Sequence, residues 1–177
     1  MIPTVQVLEP MPHPLLSGLF PSGLLLFGLL LLALPSAAST TPNELHGTVI
    51  AVIDGDTIRL RTSGGNRQRI KLHAIVAPRH HHDSATILRD WILQQPVRVV
   101  WESRDRYRRI VGTLYLDQRE INLELVAAGL AWFFHPGDYP DAMRERYQQA
   151  EAEARSNQLG LWAEPAQLPP WEGYQRP

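Results

Sequence analysis

The sequence predicts an α+β fold, a small barrel of five short strands with three helices, and three observations carry the prediction. Short runs with a two-residue apolar period recur between turn signals, at His46–Ile53, Thr57–Thr62, Arg67–Ile75, Val97–Trp101 and Ile110–Leu116. One amphipathic helical pattern falls after the third run and two more follow the fifth. Beyond an apolar leader, Ser39 to Pro177 leaves 139 residues, the length of one domain with a core of its own.

The chain begins with 40 residues that hold no Lys or Arg, in which Leu24 to Leu34 is an unbroken apolar run. That run is short for a membrane span, and the small residues of Pro35-Ser36-Ala37-Ala38-Ser39 predict leader cleavage after Ala38. Residues 1–38 are then a signal peptide, and the mature protein is exported to the periplasm or the medium. The alternative is an uncleaved anchor extended back through Leu15 to Phe20. Residues 39–45 read as a linker.

The first two strands, His46–Ile53 and Thr57–Thr62, flank Asp54-Gly55-Asp56. An Asp-Gly step between alternating runs predicts a hairpin with a type I′ turn, whose central residues need positive φ. Ser63-Gly64-Gly65-Asn66 makes a second turn. Arg67–Ile75 alternates cations (Arg67, Arg69, Lys71) with Gln68, Ile70, Leu72 and Ala74, as a half-buried third strand does. Asp83 or Ser84 caps a first helix with an apolar face of Ile87, Leu88, Trp91 and Ile92, closed by Pro96. Val97–Trp101 and Ile110–Leu116 are the last two strands, joined by a turn at Arg104-Asp105-Arg106. Ile121–Leu130 is a short helix ending at Gly129, and Pro140 opens the longest helix, which runs to about Asn157 with Met143, Tyr147, Ala150 and Ala154 in a stripe. Residues 163–177 form an extended tail stiffened by Pro169 and Pro170. A five-stranded OB-type barrel fits this order.

The chain has no cysteine, which removes disulfides and thiol chemistry from consideration. Charge is divided unevenly. From Arg59 to Arg109 there are 12 basic and 4 acidic residues, whereas Ile110 to Pro177 has 5 and 10. All but Lys71 of those 12 are arginines, whose planar fork binds phosphate in two places, so a polyanionic partner is expected for the first half. The competing reading is a charged barrel exterior paired with acidic helices of the same domain.

The motifs Val52-Ile53-Asp54-Gly55-Asp56-Thr57, Ile70-Lys71-Leu72-His73-Ala74-Ile75-Val76-Ala77-Pro78, Asp105-Arg106-Tyr107-Arg108-Arg109, Leu125-Val126-Ala127-Ala128-Gly129-Leu130-Ala131 and Gly160-Leu161-Trp162 stand in that order. Together they resemble the staphylococcal nuclease, or thermonuclease, domain over about His46 to Trp162. The resemblance implies an OB-type barrel with three helices and, in active members, Ca²⁺-dependent hydrolysis of DNA and RNA phosphodiesters. Two carboxylates would hold the ion, a glutamate would activate water, and two arginines would clamp the phosphate.

Mapped onto this chain, the first ligand falls on Asp56 and the second on Val76, which cannot coordinate calcium. The general base falls on Arg79, a permanent cation in place of a proton acceptor. The phosphate arginines fall on Lys71 and Arg109, and the usual glycine before the latter is Arg108. The expectation is therefore a catalytically degenerate, monomeric domain. It holds no metal, does not stay on membranes once the leader is removed, and binds single-stranded DNA or RNA through Arg106, Tyr107, Arg108 and Arg109. An active nuclease with a different metal or base would draw on Asp54, Asp56, His80 and His82 in the His80–Asp83 loop. A protein-interaction module that kept only the fold is the third reading.

Overall fold

The computed structural model describes residues 43–78, 82–163 and 168–172. The leader and residues 39–42 of the linker lie outside the described residues. In chain order the elements are β1 (Asn43–Asp54), β2 (Thr57–Thr62), β3 (Arg67–Leu72), β4 (Ile75–Val76), α1 (His82–Ile92), β5 (Pro96–Arg104), β6 (Ile110–Leu116), β7 (Arg119–Glu120), α2 (Ile121–Ala127), β8 (Trp132–Phe133) and α3 (Asp141–Ser156), followed by a 3-10 turn at Gly160–Trp162. Among the described residues no helix is long and apolar enough to cross a membrane.

Five strands close into a barrel. β1, β2 and β3 form an antiparallel meander, β5 lies on the other edge of β1, and β6 pairs antiparallel with β5. Closure is the parallel pairing of Ile70–Leu72 with Ile110–Gly112. β1 starts at Asn43, not His46, because Asn43–Thr48 pairs with Pro96–Trp101 while Gly47–Asp54 pairs with β2. Bulges between Val49 and Ala51 and between Val52 and Asp54 bend the strand so that it serves both neighbours. The core is filled by Ile58, Leu60, Ile70, Leu72, Val99 and Leu114 from the barrel, all at most 1% exposed, and by Leu88, Ile121, Leu125 and Tyr147 from the helices. Each such aliphatic side chain contributes roughly 1.5–3 kcal/mol on burial.

Four local expectations are corrected. The hairpin turn at Gly55-Asp56 has no residue with positive φ, so it is not type I′. Glycine is needed there for space: a Cβ on Gly55 would lie 2.6 Å from Ala77 Cβ and 2.7 Å from Ser84 Cβ. The third strand ends at Leu72, because Ala74 adopts φ 62 and turns the chain into β4, which pairs with β8 instead. Neither Asp83 nor Ser84 caps α1. The helix already includes His82, and the Ser84 hydroxyl donates to the Leu130 carbonyl at 2.6 Å. Pro96 does not close α1 either: Gln94, at φ 64, turns the chain away, and Pro96 is the first residue of β5.

The three helices lie where the patterning puts them, and besides the buried Ile121, Leu125 and Val126 one polar side chain ties α2 to the barrel. Asn122 is fully buried, accepts from the Leu114 N–H at 2.9 Å, and donates to the carbonyls of His73 at 2.9 Å and Gly112 at 3.3 Å. The end of α2 touches the turn after α3 through two glycines with positive φ. A Cβ on Gly129 would lie 2.2 Å from the Leu159 carbonyl oxygen, and one on Gly160 would lie 2.3 Å from that of Gly129.

Candidate functional site

The β1–β2 turn presents Asp56 to the segment that leaves β3. Gly55 lies close against Ala77 and Ser84, so the turn is pinned and Asp56 is only 8% exposed. Its carboxylate is fully engaged by the protein. Oδ2 takes the Lys71 ammonium at 2.5 Å and the Ala77 N–H at 2.9 Å, and Oδ1 takes the Thr57 hydroxyl at 2.9 Å. Lys71 Nζ also donates to the Ile75 carbonyl at 2.9 Å. Burial works to raise the Asp56 carboxyl, but the Lys71 charge, its hydrogen bond and the Ala77 N–H outweigh it and hold the group below its ordinary value.

Asp54, on the exposed side of the turn, accepts from the Asp56 N–H at 3.1 Å. Desolvation first, then the neighbouring Asp56 charge, push its carboxyl upward.

Arg109 approaches from the β5–β6 turn. Its Nη1 lies 3.5 Å from Thr57 Oγ1, which brings the retained arginine to the same corner as Lys71 and Asp56. Asp105 fixes it there, with Oδ2 accepting from Arg109 Nε at 2.7 Å and Oδ1 from the Arg109 and Tyr107 backbone N–H groups, each at 2.9 Å. These contacts hold the Asp105 carboxyl below the usual range, against a burial contribution in the other direction. Sequence reasoning gave Asp105 no role. An Asp at the head of a turn, four residues before an arginine, was the available signal. Tyr107 is 62% exposed, with the Arg106 and Arg109 guanidinium groups 4.8 and 5.5 Å from its ring centre. Arg108 is exposed and adopts φ 61.

Val76 faces an apolar environment. It pairs with Trp132 across β4–β8 and packs against a cluster of Trp132, Ala154, Leu161 and Trp162, against which Trp171 of the tail also packs. Trp171 meets Phe134 edge-on at 5.2 Å. The indole N–H groups of Trp132 and Trp162 are buried there with no acceptor among the described residues. A cleft of about 390 Å³ opens beside Lys71 and Val76, walled by Phe134 and Tyr139. A larger cavity of about 580 Å³ contains none of the residues mapped to the site, and its buried Glu151 is occupied in bracing the Phe133 N–H at 2.9 Å and His135 at 2.7 Å.

Asp54, Asp56, Lys71 and Arg109 are thus brought to one corner, with Arg106, Tyr107 and Arg108 on the adjoining turn. Arg79 and His80 lie outside the described residues, as does the side chain of His82. Among the described residues no group of three or more His, Cys, Asp or Glu is placed to hold a metal ion.

Comparison with known proteins agrees with the barrel fold. The family described as Staphylococcal nuclease homologue matches residues 69–164. A protein of Haemophilus influenzae described as an uncharacterized endonuclease is 31% identical over 140 residues, covering 77% of this chain and 75% of its own. One of Escherichia coli with the same description is 33% identical over 133 residues, 72% of this chain and 84% of its own. A Shigella flexneri protein described as a micrococcal nuclease is 32% identical over 145 residues, 73% and 80% respectively.

Proposed function

Because the chain belongs to the staphylococcal nuclease homologue family, we propose that it is an exported, monomeric nucleic-acid-binding member whose calcium-dependent phosphodiester cleavage has degenerated. One observation carries this reading: Lys71 Nζ lies 2.5 Å from Asp56 Oδ2, so an internal ammonium occupies the carboxylate at the first ligand position. Calcium takes roughly six to eight oxygen ligands at about 2.3–2.6 Å. Here both Asp56 oxygens are engaged by Lys71, Ala77 and Thr57, and the second ligand position offers only the methyl groups of Val76. These residues do not fit the ion, and the position mapped to the general base carries Arg79.

The parts suited to holding a phosphate remain. Arg109 is oriented by Asp105 beside Thr57 and Lys71, and Arg106 and Arg108 stand on the same turn. The half-buried Phe134 walls the adjoining cleft with aromatic surface of the kind on which bases of a single strand stack. Cations at a corner whose residues do not fit calcium, with Arg79 at the position mapped to the general base, favour binding over cutting.

The test uses the full chain. Titration with Ca²⁺ should give no binding heat, and binding of single-stranded DNA or RNA should weaken as salt rises. Removing a general base costs about 10²–10⁴ in rate, so Ca²⁺-dependent cleavage should rise measurably in a Val76→Asp, Arg79→Glu double variant and be undetectable without it. If the unmodified protein cuts DNA with Ca²⁺ at a rate the double variant does not exceed, the degeneracy reading is wrong.

A further inference from the structure

β2 and β3 carry four exposed arginines in two cross-strand pairs. Arg59 stands opposite Arg69 and Arg61 opposite Arg67. The alternation that buries Ile58, Leu60 and Ile70 inside the barrel turns all four onto its outer face, and the next pair along the ladder joins the part-exposed Lys71 to the buried Thr57. The part-exposed Lys71, with Arg109 beside it at the Thr57 position, therefore continues the face that the arginine pairs line, successive pairs being about 6.7 Å apart along the strands.

Unlike Lys71 and Arg109, which hold Asp56 and Asp105, the two arginine pairs have no internal counter-charge among the described residues. From Thr57 to Leu72 there is no Asp or Glu, and the neighbouring β1 sets Ala51 and Thr48 opposite Arg59 and Arg61. Elsewhere Arg98, Arg109, Arg119 and Arg146 each hold a carboxylate, whereas none of these four arginines forms an ion pair, hydrogen bond or ring contact among the described residues. Like charges directly opposite each other across an antiparallel pair oppose folding. A surface of that kind is complementary to a polyanion that repeats its charge along a line.

We infer that the outer face of the β2–β3 hairpin is a second contact surface, which carries the phosphate backbone of a nucleic-acid strand away from the Lys71–Arg109 corner. This rests on the proposed nucleic-acid binding and adds to it a binding path and a minimum strand length. A strand confined to the corner does not reach the arginine pairs; a longer one does. Each phosphate met there should add about 0.7 to the salt slope for a single strand.

The experiment measures the affinity of the full chain for a thymidine trinucleotide and for a thymidine 20-mer across a salt series. It compares the unmodified protein with Arg59→Gln/Arg61→Gln/Arg67→Gln/Arg69→Gln, with the same four positions changed to Lys, and with Arg89→Gln as a control on α1. The expected result is a loss of at least tenfold for the 20-mer in the Gln variant, with a flatter salt slope. Trinucleotide affinity should stay within about twofold, the Lys variant should keep most of the 20-mer affinity, and Arg89→Gln should change little. Thermal melting monitors folding, and no loss of stability is expected because cross-strand repulsion is removed.

If the unmodified protein binds both oligonucleotides and the Gln variant binds the 20-mer equally well, the arginine surface is refuted while nucleic-acid binding at the corner stands. If the unmodified protein binds neither, the functional reading itself fails. Tighter, arginine-dependent binding to phosphatidylserine vesicles than to the 20-mer would replace the strand with an anionic membrane and overturn the inference.

Discussion

Lys71 Nζ and Asp56 Oδ2 are 2.5 Å apart, with side chains 20% and 12% exposed. At that depth each charge depends on the other, since desolvation penalises whichever is left alone. Lys71→Met should cost about 2–3 kcal/mol at neutral pH, less than for a fully buried pair because water still reaches the ammonium. The pH dependence follows in sign. The folded-state Asp56 carboxyl lies below its unfolded value of 3.8, so its contribution is fully present above that pH and is lost as pH falls through the lower folded value. Asp54 runs the other way. Its carboxyl is raised, so its contribution is present below 3.8 and is lost as pH rises through the folded value. In Lys71→Met the Asp56 carboxyl rises, because burial stays and the compensating charge goes. Urea unfolding of both proteins from neutral pH to pH 3 should show an acid-side loss of stability in the unmodified protein that shrinks or reverses in the variant.

Arg108 offers an opposed pair of effects. Its φ of 61 costs a side-chain-bearing residue about 1–2 kcal/mol, whereas glycine adopts it freely. Glycine loses more backbone entropy on folding, so Arg108→Gly should raise stability by only about 0.5–1 kcal/mol. The same change removes one exposed cation from the turn that positions Arg109, and should lower the salt slope of single-strand binding by about 0.7. A chemical melt and a salt titration of one variant check both. A variant that is less stable would mean that the Arg108 side chain makes an offsetting contribution to the turn.

The barrel was legible in the sequence because its strands bury one face, and a two-residue period reports that directly: Ile58 and Leu60, then Ile70 and Leu72, are the buried members of β2 and β3. The period could not show where β3 stops. The pattern runs on through Ala74, but the chain turns there on a single left-handed residue, and alternation carries no information about φ. Gly55 misled in the opposite sense. An Asp-Gly step signals positive φ, and the residue is glycine because Ala77 and Ser84 pack against the turn, a long-range requirement that a local motif cannot express. β8 lies within an apolar run from Leu130 to Phe134, but only Trp132 and Phe133 pair, too few residues for alternation to mark a strand. At the site, the sequence placed Asp56, Lys71 and Arg109 together, but the Lys71–Asp56 contact depends on the bend after Leu72, which lets Lys71 also reach the Ile75 carbonyl.

Val76 and Trp171 pack against the same cluster of Trp132, Ala154, Leu161 and Trp162 from opposite ends of the chain, which couples the substituted ligand position to the tail. Val76→Asp puts a carboxylate into that apolar setting and should cost about 1–3 kcal/mol at neutral pH. The penalty falls on the charged form, so the new carboxyl is raised and part of the loss should be recovered as pH drops through it. Trp171→Ala alone should cost about 1–2 kcal/mol, from lost area and the edge-on contact with Phe134. Removing Trp171 also lets water into the cluster, and a hydrated carboxylate at position 76 is less unfavourable than a dry one. The double variant should therefore be more stable than the sum of the single changes by about 0.5–1 kcal/mol in a double-mutant cycle, measured by urea unfolding. Strict additivity would show that the tail does not keep position 76 dry. A positive coupling would mean that restoring a carboxylate there for calcium also requires moving the tail.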